Sequence, residues 1–124
     1  AWITEKFHGW SDLPSGNPEE KFTKDEMLTN ISIYWFTQSI TSSSRIYFEN
    51  RAVPMSEPVG FVSVPTAGAI FPKEIYLTPR LWAEQSYNIV RWTEMPQGGH
   101  FAALEEPELL LADIRAFFRQ LPRP

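Results

Sequence analysis

The stretch MPQGGHFAALEEPE, residues 95–108, decides how the rest of this chain is read. It holds His100, one of two histidines in the 124 residues, with Gly98 and Gly99 directly before it. Upstream, NIVRWTE (88–94) predicts a buried strand. Downstream, residues 107–121 place Leu110, Ile114, Phe117 and Leu121 three to four apart, which predicts a helix with those residues as its core stripe. Glu108 in its first turn and Arg119 in its last suit the helix dipole. A histidine that leaves a strand through two glycines lies in a loop at the strand's carboxyl edge, where open α/β sheets keep their chemistry. Glycine allows positive φ or close backbone approach there, so the imidazole can be aimed inward. That placement suits a general base or a metal ligand. The plain alternative is a solvated loop histidine.

Outward from this stretch, residues 1–11 place Trp2, Ile3, Phe7 and Trp10 at near-helical spacing and predict a short helix, with His8 an ordinary, partly exposed helix histidine. Residues 11–18 are dense in turn formers and predict a loop. Thr23 and Glu26 form a capping-box pattern that opens a helix carrying Met27, Leu28, Ile31, Tyr34 and Trp35. By Phe36 apolar residues nearly surround that helix, which predicts burial between other elements. A second helix is expected over residues 40–50, with Ile40, Ser44 and Tyr47 on one face. Residues 51–58 predict a loop, 59–65 a strand ending at Pro65, and 66–72 (TAGAIFP) a glycine-containing loop at the strand end. Residues 78–84 predict a short helix with Thr78 as cap and Pro79 at the first position.

Composition narrows the function classes. The chain is 43% hydrophobic and 15% aromatic, as globular domains are. Eleven basic against fifteen acidic residues, net −4, with no basic stripe, argue against a nucleic-acid partner. Cysteine is absent, which removes thiol chemistry and fits a reducing, cytoplasmic setting. No apolar run approaches the roughly 20 residues of a membrane-spanning helix. Two distant histidines and no cysteine predict no metal site. The chain opens at Ala1 without an initiator methionine, directly in an amphipathic pattern, so any targeting or anchoring segment is expected upstream of it. Two strands joined through a helix are expected to pair in parallel, yet parallel sheets normally continue through more strands. The expectation is the closing portion of a larger α/β sheet, a fragment or one chain of a split protein.

AWITEKFHGWSD, LTNISIYWFTQSITSSSRIYFEN, VPTAGAIFPKE and MPQGGHFAALEEPELLLADIRAFF, in that order, resemble the carboxyl-terminal part of the microsomal-type epoxide hydrolases, juvenile-hormone enzymes included. The resemblance covers nearly the whole chain. It implies the last two parallel strands and flanking helices of an α/β-hydrolase fold, preceded by helices of the lid. Residues 1–52 would be the lid segment and its connection, and 53–124 the core part. In such enzymes the nucleophile, acid and histidine follow different strands in that order. His100 would be the histidine. Glu74, in the F-P-x-E pattern on the loop after the preceding strand, would be the acid that orients it. Glu105 and Glu106 are closer in sequence, but dipole and capping preferences account for them. Tyr47 matches one of two lid tyrosines that hydrogen-bond the epoxide oxygen; by residue type alone it would be a core tyrosine.

The family's nucleophile is an aspartate on an elbow upstream, and no residue here supplies that elbow. The resemblance therefore implies an epoxide hydrolase that works through a covalent ester. This chain would give His100, Glu74 and Tyr47, with the amino-terminal part of the same enzyme as partner. The substrate would be a small-molecule epoxide and no cofactor is needed; homo-oligomerisation stays open. The rivals are another α/β-hydrolase, such as a serine esterase, and a non-catalytic half-domain that only docks with a partner chain.

Overall fold

Two strands, β1 (Val62–Ile70) and β2 (Tyr87–Glu94), run parallel side by side. They belong to a computed structural model that describes residues 1–51 and 60–122. The expected loop over 51–58, the start of the expected strand at Val59 and the expected boundary at 52 fall wholly or mostly outside the described residues. The chain separates into two units, residues 1–22 with 60–122, and residues 23–51.

The first unit opens with α1 (Trp2–Gly9), which buries Phe7 and leaves His8 exposed. Phe7 stacks 4.8 Å from Phe22 and 4.7 Å from Phe101, so an aromatic cluster fastens this segment to the loop after β2. The predicted loop at 11–18 ends in a 3-10 turn (Pro18–Glu20), whose Asn17 cap and Glu20 close a capping box. Between the strands, α4 (Arg80–Ala83) is shorter than expected, and Pro79 rather than Thr78 stands at its cap. After β2 come a single turn, α5 (Ala102–Glu105), and α6 (Pro107–Gln120).

Two sequence expectations fail here for physical reasons. β1 does not end at Pro65: the chain stays extended to Ile70, and the predicted loop begins only at Phe71. Proline has no N–H to give a ladder, and the register shifts between Val62 and Pro65 absorb that loss. Further on, Gly68 lies opposite Trp92, where a side chain would collide with the indole. In α6, Leu110 and Phe117 are half-buried, but Ile114 is 42% exposed. The buried position of that face belongs instead to Asp113, which accepts from Arg91 Nε at 2.8 Å and from Thr93 Oγ1 at 2.7 Å. Helix α6 is thus pinned to β2 by a charge network.

In the second unit, α2 (Lys24–Phe36) starts at the predicted capping box: Glu26 N donates to Thr23 Oγ1 at 3.2 Å, and Thr23 N donates to Glu26 Oε2 at 2.7 Å. Gln38, in the left-handed region at φ 54°, turns the chain into α3 (Ile40–Asn50). The expected burial of α2 is not met. Leu28 and Ile33 are 57% exposed, Trp35 78% and Phe36 81%, while Met27, Ile31 and Tyr34 are half-buried. Within α3, Ser43 and Ser44 donate their hydroxyls to the Ile40 carbonyl.

Burial pushes the Asp113 carboxyl up, but hydrogen bonds from Arg91 and Thr93 outweigh it and hold the group below the ordinary aspartate range. A carboxyl depressed on folding stabilises above its unfolded pKa, and that contribution is lost as pH falls through the folded value. Asp113→Ala is therefore expected to cost about 3 kcal/mol at neutral pH. Its deficit relative to the parent should shrink as the solution is acidified through the carboxylate range. Urea unfolding along a pH series checks this; a deficit independent of pH would contradict it.

Candidate active site

The two loops that follow β1 and β2 do not part where the strands end. Met95 N donates to the Ile70 carbonyl at 2.8 Å, Lys73 N to the Gly98 carbonyl at 3.0 Å, and Lys73 and Gly99 form one further parallel bridge. The ladder so extended carries Glu74 and His100 to the same edge. There Glu74 Oε1 lies 2.7 Å from His100 Nδ1. A carboxylate only accepts, so Nδ1 carries the hydrogen, and in a neutral imidazole the lone pair then lies on Nε2. Glu74 is itself steadied: its amide donates to the Phe71 carbonyl at 3.1 Å, and its Oε1 accepts from Ile75 N at 2.6 Å. The imidazole is 38% exposed and the Glu74 side chain 35%, so the pair is reachable from solvent. The rings of Trp10 and Phe101, steeply inclined to the imidazole with centroids 5.0 and 5.2 Å away, limit how it can tilt.

The backbone under the histidine is held at every step. Gly98 N donates to Asp12 Oδ2 (2.9 Å), Gly99 N to Glu105 Oε2 (3.0 Å), His100 N to the Trp10 carbonyl (2.9 Å) and Phe101 N to Glu105 Oε1 (2.9 Å). Glu105 also accepts from Asp12 N at 2.7 Å and is buried. It is therefore more than the helix-entrance acid expected from sequence. Glu106 is nearer that expectation: it stands at the cap of α6, accepting from Lys21 and from Gln97 Nε2 at 2.8 Å. Burial raises the Glu106 pKa, but these bonds prevail and leave it lowered, while Glu106 raises that of Lys21.

This network explains the glycine pair. Gly98 has φ 108°, which side chains rarely adopt, and a Cβ there would lie 2.6 Å from the Phe71 ring. At Gly99 a Cβ would meet the Trp10 carbonyl oxygen at 2.7 Å and Asp12 N at 2.9 Å.

Of the three site residues expected from sequence, His100 and Glu74 meet. Tyr47 lies on α3 in the second unit, 58% exposed. Trp10, Asp12 and Glu105 were not anticipated. The signal for Glu105 was an acid four residues after a Gly-Gly-His-Phe turn, within reach of that turn's amides; Asp12, in a turn-rich loop, carried no local signal. Among the described residues, no group of three or more His, Cys, Asp and Glu side chains is placed to hold a metal ion. Nor is any helix among them long and apolar enough to cross a membrane. An apolar hollow of about 460 Å³ beside β2, lined by Ile70, Leu77, Pro79, Trp92 and Met95 among others, does not include the His100–Glu74 pair.

No protein-family model matches the chain. Individual proteins do. Over 126 aligned residues it is 45% identical to epoxide hydrolase 1 of Sus scrofa, covering 94% of this chain and 28% of that protein. The solved epoxide hydrolase of Aspergillus niger matches 98% of this chain and 29% of its own, with a TM-score of 0.80 and 34% identity. The juvenile hormone epoxide hydrolase of the silkworm Bombyx mori matches 97% of this chain and 32% of its own, with a TM-score of 0.83 and 29% identity. The chain thus spans less than a third of each of these relatives.

Overpacking against backbone has no cheap relief, so Gly99→Ala is expected to cost about 2 kcal/mol. Gly60→Ala, with nothing within 4 Å of a Cβ, should stay within about 0.5 kcal/mol. Parallel urea titrations of the two variants provide the check; equal effects would mean that residues 10–12 do not press on the histidine loop as described.

Proposed function

We propose that this chain, homologous to epoxide hydrolases of the α/β-hydrolase fold, is the carboxyl-terminal part of an enzyme that converts an epoxide and water to a vicinal diol. One observation carries the proposal: the 2.7 Å contact of His100 Nδ1 with Glu74 on loops leaving adjacent parallel strands. An acid and a histidine so placed form two thirds of a hydrolase triad.

The nucleophile, an aspartate, comes from the amino-terminal part of the enzyme. Its carboxylate attacks an epoxide carbon and the carbon–oxygen bond of the ring breaks. The oxygen departs as an alkoxide, stabilised by a hydrogen bond from Tyr47. An ester now joins substrate and enzyme. His100 then takes a proton from water through Nε2, and the hydroxide adds to the ester carbonyl. Glu74 accepts the Nδ1 hydrogen throughout, fixing the tautomer and offsetting the charge on the imidazolium. The adduct collapses by breaking the bond between the aspartyl carbonyl carbon and the substrate oxygen. The hydroxide's proton and the one held on Nε2 pass to the two substrate oxygens, so the neutral diol leaves and the aspartate and the imidazole are restored.

The assignment of steps separates this reading from a serine hydrolase. A serine must lose its proton to attack, so there the histidine serves the first step. An aspartate is already ionised near neutral pH and attacks unaided. In the enzyme carrying this chain with its amino-terminal part, His100→Ala should react once with an epoxide and accumulate a covalent adduct, while turnover falls about a thousandfold. Glu74→Gln should slow the same second step by about a hundredfold. Intact-protein mass spectrometry after mixing with epoxide detects the adduct. Its absence in a folded, substrate-binding His100→Ala enzyme would favour the serine-type reaction.

Tyr47→Phe keeps the ring and removes the donor. It should slow ester formation about tenfold, the smaller effect expected where a second phenol shares the oxygen, and leave ester hydrolysis unchanged. Single-turnover rates distinguish the two; an unchanged first step would remove Tyr47 from the chemistry.

A further inference from the structure

We infer that Glu105 is a positioning residue for His100, a role that rests on the epoxide-hydrolase reading and assigns it a part the dyad alone does not supply. Three backbone N–H groups converge on its buried carboxylate: those of Gly99 and Phe101, which flank the histidine, and that of Asp12. The histidine's own N–H goes to the Trp10 carbonyl, two residues before Asp12. Holding the residues before and after His100 through one rigid, planar group leaves the intervening Cα little freedom to shift or rotate. Glu74 reaches the ring only at Nδ1, so it sets the ring's tautomer and turn but not the place from which the ring projects. That place is set by Glu105. An acid doing no more than capping a helix would need one amide; Glu105 spans the histidine and reaches a segment 93 residues away.

The chemistry of the site makes this separable from general stability. Glu105 Oε2 takes the Asp12 and Gly99 amides, and Oε1 takes Phe101. Glutamine has the same shape with one oxygen. If that oxygen keeps the two amides, the NH2 group faces the Phe101 N–H, donor against donor. The histidine then loses its anchor on one side while the packing around residue 105 is conserved.

The experiment uses the whole enzyme that contains this chain. Rapid mixing with epoxide gives the rate constants of ester formation and ester hydrolysis separately. His100→Ala is run alongside: its trapped ester establishes the underlying two-step reading, and its failure to trap one would overturn that reading irrespective of Glu105. With trapping established, Glu105→Gln is expected to slow hydrolysis by about a hundredfold, as an ångström-scale misplacement of a general base does. Ester formation should keep its rate. A structural defect alone would instead lower the amplitude of both phases, through loss of competent enzyme, and leave the hydrolysis rate constant of the surviving fraction intact; that outcome overturns the proposal. Amide hydrogen exchange of the unmodified enzyme gives a second reading that does not need a folded variant. The Gly99 and Phe101 amides should be strongly protected, and exchange at the rate of an open loop would equally overturn it.

Discussion

A carboxylate removed from water needs compensation, and at Glu105 that compensation is taken from the backbone of the loop it stabilises. The exchange has consequences in both directions. The loop gains acceptors for amides that belong to no helix or strand, and the acid gains donors that make its burial tolerable. Because the donors lie at residues 12, 99 and 101, the contact joins parts of the chain that share no secondary structure. The positive φ of Gly98 and the close passage of Gly99 under the Trp10 carbonyl follow from bringing those amides to one point.

Around this centre the polar groups divide by burial. Asp113 holds α6 against β2 through Arg91 and Thr93, and Glu106 takes Lys21 and Gln97 at the start of the same helix. These contacts shape the scaffold. Glu74 and His100 stay in reach of solvent. The aromatic rings of Phe7, Phe22 and Phe101 fill the space behind the loop, so the exposed pair rests on a dense apolar support.

What the sequence reveals follows from the range of the signals it carries. Thr23 with Glu26, the strand of residues 87–94 and the start of α6 at Pro107 are marked within a few residues, and they are legible. So is the parallel pairing, which a helical crossover entails. The pairing of Glu74 with His100 was expected through resemblance and the order of strands rather than through any local pattern. The end of β1 was misplaced because Pro65 and Gly68 are ordinarily breakers; their cost is absorbed by the partner strand, a cause invisible along one segment. Asp113 carries no such signal, because a charge on a helix is ordinarily solvated and its partners arrive from β2. Asn17 with Glu20 is a capping-box pattern hidden among the turn formers of the loop at 11–18. Glu105 was legible as an acid but not as an acceptor, since one of its donors is 93 residues distant.

The ties from residues 10–12 to the histidine loop also bear on timing. Asp12 and its partners at Gly98 and Glu105 are separated by 86 and 93 residues, among the widest loops this chain can close. Closing a loop of that size is entropically late relative to forming a capped helix or a short strand crossover. The strands and helices of the first unit are therefore able to form while the segment carrying His100 still lacks acceptors for its amides. Order in the histidine loop arrives only with the final long-range closure, so a nascent chain presents its architecture before it presents a fixed imidazole.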